Sequence, residues 1–257
     1  MRASIFILIL LASLTALNLA KAQESDAPLD FTKPILPPDW LPSGTQVEIQ
    51  KGTLPAAAAD DGTPPRRILF VSLGLIKRFE GWFPDVYNDP VGYCTIGWGH
   101  LIEKKLCRNV ATDKLGAFSP RPLDPDRGQS LLIKDTWPAR RAVQRLVNVQ
   151  VTDRQFGALT SFVYNVGAEN FRRSTMLRML NTGNISGAQR EFSRWNRARG
   201  KVLPGLVRRR ACEAELFMGR GRNLNNGLFD IRICRGNLAA AESIVDPIDI
   251  DVGEVAP

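Results

Sequence analysis

From Arg67 onward the chain places apolar residues at helical spacing. Leu69, Leu73 and Ile76 fall on one face, and Glu80 continues that face one turn later. Gly81 stands at a common helix stop, so the pattern predicts a helix over 67–80. The period then changes. Val86 to Gly99 reads as a hairpin, with Asp89-Pro90-Val91-Gly92 supplying Asp, Pro and Gly at the turn positions that favour them. Residues 108–130 mix Pro, Asp and Gly and predict an irregular insertion. Helical spacing returns with Ala142, Val143, Leu146 and Val147, over 140–147. Thr152 and Gln155 have capping-box spacing and open a helix with the stripe Phe156, Leu159, Phe162 and Val166. Ser174 caps a further helix that ends at Gly183, and Ser186 with Gln189 repeats the box ahead of Phe192 and Trp195. Pro204 opens a last helix reaching about Phe217.

The sum is an α+β chain with a small β-hairpin lobe and a larger helical lobe, and a cleft between them suits a long polymer. The ordered domain is expected over 66–236. Residues 23–65, rich in Pro, Ala and Asp, predict a linker or arm without a core of its own. Residues 237–257 alternate aliphatics with acids and prolines and predict a flexible acidic tail. No internal repeat is visible.

The N-terminus adds a compartment. Arg2 precedes an uncharged stretch, residues 4–20, and Ala20-Lys21-Ala22 has small residues at the positions a signal peptidase reads. Residues 1–22 therefore predict a signal peptide, with a secreted or periplasmic product and no stable membrane insertion after cleavage. An uncleaved anchor is the alternative, although the stretch is shorter than the roughly 20 residues a span needs. Four cysteines, Cys94, Cys107, Cys212 and Cys234, suit two disulfides in an exported chain. Three pairings are open, the sequence-local one being Cys94–Cys107 with Cys212–Cys234. No pair has CxxC spacing and His100 is the only histidine, so a zinc site is not expected, and no metal or cofactor is.

The net charge is +8, unevenly spread. Residues 23–64 and 237–257 each carry −5 and the first 22 residues +2, which leaves +16 on residues 65–236. A basic domain between acidic flanks points to a polyanionic partner. Nucleic acid fits the charge but conflicts with export, and no helix-turn-helix or aromatic-basic RNA motif is present.

Candidate chemistry gathers around the hairpin. Glu80, at a helix C-terminus on a partly apolar face, has burial and the helix dipole both favouring its protonated form, as a proton donor requires. The ordinary reading is a surface Glu paired with Lys77 or Arg78. Asp89 either caps its own turn or serves as a second carboxylate. Thr95 is a good strand former, yet the hairpin brings it towards Asp89, and a carboxylate beside a hydroxyl can hold a water. Gly97 and Gly99 flank Trp98 and permit a ligand to approach the backbone, or mark a bulge.

Taken together, Glu80-x8-Asp89-x5-Thr95 within YNDPVGYCTIGWGH closely resembles the phage-type lysozymes, glycoside hydrolase family 24. The family pattern of Glu-Gly followed by Tyr-x-Asp-x-x-Gly-x-x-Thr-Ile-Gly-x-Gly-His is met at Glu80, Gly81, Tyr87, Asp89, Gly92, Thr95, Ile96, Gly97, Gly99 and His100. SFVYNVG (161–167), FRRSTMLRMLN (171–181) and KVLPGLVRRR (201–210) look like its endolysin branch, so the resemblance spans roughly 67–219. It implies a lysozyme-like fold and a monomeric muramidase cutting the β-1,4 bond between N-acetylmuramic acid and N-acetylglucosamine of peptidoglycan. Glu80 takes the general-acid position, Asp89 that of the second carboxylate and Thr95 that of the water-positioning group. The family is inverting, which needs carboxyl groups roughly 6.5–9.5 Å apart. Leu101 and Tyr164 are implied to line the sugar cleft.

His100 reads as a structural bond near the hinge, because a two-carboxylate mechanism has no task for it. Trp98 packs or stacks on a sugar. The arginines of 172–178 and 208–210 read collectively as contributors to wall binding. Two rivals remain: a lytic transglycosylase, which uses one carboxylic acid and no water, and a non-catalytic peptidoglycan-binding module. The intact Asp89/Thr95 pair argues against the first, and the presence of both carboxyls against the second. Cys94, directly before Thr95, departs from the family's usual residue and would staple the hairpin if bonded.

Overall fold

The structure is a computed structural model that describes residues 64–235 and 241–254. The proposed signal and nearly all of the 23–65 arm lie outside the described residues. At the start of the described chain Arg66 is tied down, donating to Asp153 at 2.6 Å while its backbone N–H donates to Gln144 at 2.9 Å. Helix α1 (Phe70–Glu80) therefore begins three residues later than its apolar pattern predicts.

After Gly81 the chain forms β1 (Phe83–Asn88), β2 (Cys94–Gly97) and β3 (His100–Glu103). The predicted hairpin is thus the first half of a three-stranded antiparallel sheet in the order β1-β2-β3. Tyr87 pairs with Thr95, and Thr95 with Leu101, so the three stand in one cross-strand row. Bulges interrupt both ladders. The stretch expected to be irregular holds α2 (Thr112–Gly116) and the start of α3 (Pro125–Asp135). Asp124 accepts N–H bonds from Asp126 and Arg127, and Pro125 follows at the first helical position. This is a local start signal that the loop-like composition concealed.

Helices α4 (Trp137–Leu146), α5 (Asp153–Val166), α6 (Ala168–Arg173), α7 (Thr175–Asn181), α8 (Ile185–Glu191) and α9 (Pro204–Phe217) build the larger lobe. The predicted capping box opens α5, Thr152 and Gln155 bonding reciprocally. The predicted box at Ser186 does not form. Asn184 caps α8 instead, its side chain accepting from Gly187 N–H at 2.8 Å. A short ribbon, β4 (Arg197–Ala198) and β5 (Lys201–Val202), precedes α9.

Helix α5 is the central post, packed against α9, α4 and α1. Gly157 lets α1 come close, since a β-carbon there would fall 1.8 Å from Ser72 Oγ. The main core surrounds Phe156, Phe162, Phe192 and Trp195. A smaller cluster of Leu73, Ile76, Trp98, Leu132 and Ile133 joins the lobes, and Tyr164 touches both. The disulfides take the sequence-local pairing, Cys94–Cys107 and Cys212–Cys234.

The tail expected to be flexible is docked over residues 241–254. Ile248 is buried in the main core. Its N–H donates to Arg194 O at 2.6 Å, and Ile250 N–H to Arg197 O at 2.9 Å. Glu254 accepts from Thr175 N–H at 2.6 Å and from Arg194 Nη1 at 3.2 Å. Alternation read as looseness is a strap, with Ile248 and Ile250 turned to the core and Asp249, Asp251 and Glu254 turned to backbone N–H groups or arginine, while Val245 and Val252 stay exposed. Among the described residues no helix is long and apolar enough to cross a membrane.

Candidate active site

Glu80 ends α1 and reaches the junction of the lobes with its side chain 24% exposed. Its partner is neither Lys77 nor Arg78. Arg209, from α9, donates to Glu80 Oε1 at 2.7 Å, and its side chain is only 4% exposed. Arg209 also donates through Nε to Glu213 at 3.1 Å and through Nη2 to Ser161 O at 3.3 Å. Glu213 is fully buried and accepts from Ser161 Oγ at 2.7 Å and from Arg210, which in turn reaches Asn165 and Trp195 O. Burial alone would lower the Arg209 guanidinium, but the carboxylates of Glu80 and Glu213 outweigh it and hold the group above its ordinary range. The collective wall-binding reading therefore fails for Arg209 and Arg210. Both are interior groups, Arg209 buttressing Glu80 and Arg210 holding Glu213, and their i,i+4 and i,i+3 spacing to Glu213 was the available signal.

Asp89 caps the β1–β2 turn. Its Oδ1 accepts from Val91 N–H at 2.9 Å and Tyr93 N–H at 2.8 Å. Thr95 is buried on β2 and donates its hydroxyl to Tyr93 O at 3.1 Å, which leaves its oxygen able to accept. Tyr87 reports on both carboxyls. Burial pushes its phenol up, and Asp89 and then Glu80 add to the shift, so all three share one electrostatic neighbourhood. Gly99 lies against Glu80 from the other side, since a β-carbon there would stand 3.9 Å from Glu80 Oε2.

Leu101 is exposed on β3 and continues the Tyr87–Thr95 row. Tyr164, on α5, is largely buried. Its phenol is held well above the ordinary range by burial first, then by Glu80 and Asp135, with Arg209 opposing. The five residues singled out from sequence thus fall around one junction, and Tyr164 belongs as much to the packing between lobes as to the cleft. His100 has the structural bond expected, its Nδ1 lying 2.9 and 3.0 Å from the two oxygens of Asp135 at the end of α3. Trp98 is buried against Trp82, ring centroids 4.2 Å apart, and so packs rather than offering a free face. Among the described residues no group of three or more His, Cys, Asp or Glu is placed to hold a metal ion.

A carboxyl at the junction of two lobes, sharing one electrostatic neighbourhood with a second carboxyl, is a pair of the kind that hydrolysis of a glycosidic bond employs. Residues 77–213, more than half of the chain, match the phage lysozyme family model. The chain belongs to the phage lysozyme family. It is 37% identical over 157 residues to an endolysin of Bacillus phage B103, covering 60% of this chain and 55% of that endolysin. The chain therefore spans little more than half the length of this phage lysozyme relative. A SAR-endolysin of Enterobacteria phage PA-2 is 44% identical over 132 residues, covering 51% of this chain and 73% of the relative. Among solved structures, the muramidase domain of SpmX from Asticaccaulis excentricus superposes with a TM-score of 0.50 at 33% identity, over 60% of this chain and 98% of that domain. The fold is lysozyme-like. The Cys212–Cys234 bridge and the docked strap lie wholly or partly beyond the family match.

Proposed function

We propose that this protein is an exported muramidase that hydrolyses the β-1,4 bond between N-acetylmuramic acid and N-acetylglucosamine in peptidoglycan. The observation that carries this reading is the grouping of Glu80 and Asp89 around Tyr87, with Thr95 its direct partner on the next strand. Glu80 delivers a proton to the leaving oxygen. Asp89 and Thr95 hold the attacking water, and the reaction inverts the anomeric centre. Arg209 positions Glu80, a charge-assisted contact that strengthens as the proton leaves and the carboxylate forms. Leu101 and Tyr164 border the bound glycan. The basic domain favours an anionic wall over a neutral polymer. Two disulfides among the described residues and the signal-like N-terminus support a periplasmic or secreted protein, which this reading takes as a monomer.

The test is product analysis by mass spectrometry after incubating the full chain, made in an oxidising compartment, with isolated peptidoglycan. Reducing-end muramic acid products, lost in Glu80→Gln, are expected, with proton NMR of the fresh products showing the α anomer first. Anhydro-muramic products would make it a lytic transglycosylase. Wall binding without cleavage would leave a binding module.

A further inference from the structure

Outside the residues already placed in the site, one large aromatic side chain stands open to solvent beside it. Phe83 begins β1 and is 45% exposed. Its ring leans on that of Tyr87, with centroids 4.2 Å apart and planes tilted by 31°. It also lies over Gly81, the residue directly after Glu80, where a β-carbon would come within 3.5 Å of Phe83 Cε2. Gly81 has φ +74°, so a side chain there would be strained, and the ring sits at ordinary contact distance from this backbone. Phe83 is therefore held from below by Gly81 and from the side by Tyr87, while its remaining surface faces water. Tyr87 interacts with Asp89 and Glu80, and its cross-strand row ends at Leu101, itself 42% exposed. A strip with exposed apolar ends, Phe83 by the end of α1 and Leu101 on β3, thus crosses the sheet with Thr95 buried between them.

We propose that Phe83 is a sugar-stacking residue, receiving the apolar face of a pyranose of the glycan strand next to the bond that Glu80 acts on. This rests on the muramidase reading. A large ring left open to water gains free energy when an apolar ligand face covers it, and here the ring stands beside polar reactive groups. A pyranose presents a flat array of C–H groups on one face and hydroxyls at its rim. A flat ring backed by a second aromatic matches the former, and the carboxylates within reach match the latter. A repeating glycan is the occupant this strip suits, because a polymer lying in the cleft must pass the β lobe beside Glu80.

Binding and turnover are measured separately on the full chain. N-acetylglucosamine tetramer is titrated by calorimetry into the Glu80→Gln background, with Phe83 intact or replaced. Phe83→Ala is expected to weaken binding about five- to tenfold, the size of an aromatic contact beyond its area. With Glu80 intact, the same replacement should raise KM on soluble glycan fragments more than it lowers kcat. Phe83→Trp should restore affinity. Phe83→Leu should not, since it keeps apolar area but loses the flat face. Melting curves of the variants should superpose on wild type, because the ring is half exposed. Equal affinity of Phe83→Ala and wild type, or full rescue by Phe83→Leu, would overturn the proposal while cleavage by wild type kept the muramidase reading. Loss of binding in Phe83→Ala with no cleavage by wild type would keep the stacking and remove the muramidase. No binding by the Phe83-intact protein would overturn the stacking, and no cleavage by wild type besides would overturn both.

Discussion

The two lobes are held together by different physics. In the helical lobe Phe162 meets Phe171, Phe192 and Trp195 edge-on, with ring centroids 6.2, 5.4 and 5.3 Å apart. Beneath that core lies a buried ion network through Arg209, Glu213 and Arg210. The β lobe has little of this. It exposes Phe83, Val91 and Leu101, and buries chiefly the strand Cys94–Gly97. Its β1–β2 turn is held by Asp89 and, directly beside that turn, by the Cys94–Cys107 bridge. Reactive groups come from both sides. Glu80 is fixed by packing and an interior guanidinium, while Asp89 and Thr95 are fixed by backbone bonds in a thin sheet. Damage to the helical lobe should therefore register as lost stability, and damage to the β lobe as lost site geometry.

The largest effect should follow Glu213→Leu. Glu213 is fully buried and balances two guanidiniums that are themselves buried. Removing one member of such a group strands the others and costs about 3–5 kcal/mol. Calorimetry should show a melting temperature lower by roughly 10 °C for a domain of this size. A loss under about 1 kcal/mol would mean that water reaches Arg210, and the contrast between the lobes would weaken.

Sequence made the helical lobe legible wherever the determinants are local. The Thr152–Gln155 box and the stripe from Phe156 to Val166 specify α5 within fifteen residues, and α5 forms as read. What escaped is non-local. Glu254 reaches Thr175 across 79 positions, and Arg209 reaches Glu80 across 129. No periodicity encodes such pairs, so the strap read as a loose tail and the arginines as wall-binding groups. Strand β3 escaped because four residues with bulged pairing carry almost no alternation. The site was legible for another reason. Glu80, Asp89 and Thr95 are each ordinary alone, and only their joint spacing with the surrounding glycines distinguishes them. Phe83 lacked even that, since an exposed ring and a buried one look alike in sequence.

A second, smaller effect separates the lobes directly. The Cys94–Cys107 bridge closes a loop of 13 positions next to Thr95. Replacing both cysteines by serine should cost about 3 kcal/mol by loop-closure entropy. The loss should be local. Amide exchange across 83–103 should accelerate and cleavage should fall, while the aromatic core keeps its near-ultraviolet dichroism. Replacing Cys212 and Cys234, which tie α9 to the turn at Ile231–Ile233, should do the reverse. Equal loss of activity from the two replacements would remove the distinction.

The smallest effect lies at the seam between the lobes and appears only when pH is varied. Lys77 is buried on α1, donating to Gln129 at 2.5 Å with its ammonium 4.2 Å from the Trp98 ring centroid. Burial lowers its pKa to about 8 from the ordinary 10.5, with Asp126 opposing the shift. Between those values the unfolded chain holds a proton that the folded chain has released. Stability should therefore rise with pH across that window, by about 2–3 kcal/mol. Below pH 8 both states are charged and the full cost of the buried cation is present. Lys77→Met retains the apolar stem and removes the titration, so its stability should stay level where wild type climbs. Urea denaturation at pH 7.5, 9 and 10.5 on both proteins reads this slope. Parallel curves would show that the ammonium keeps its proton in the fold, held by Gln129, the Trp98 face and Asp126.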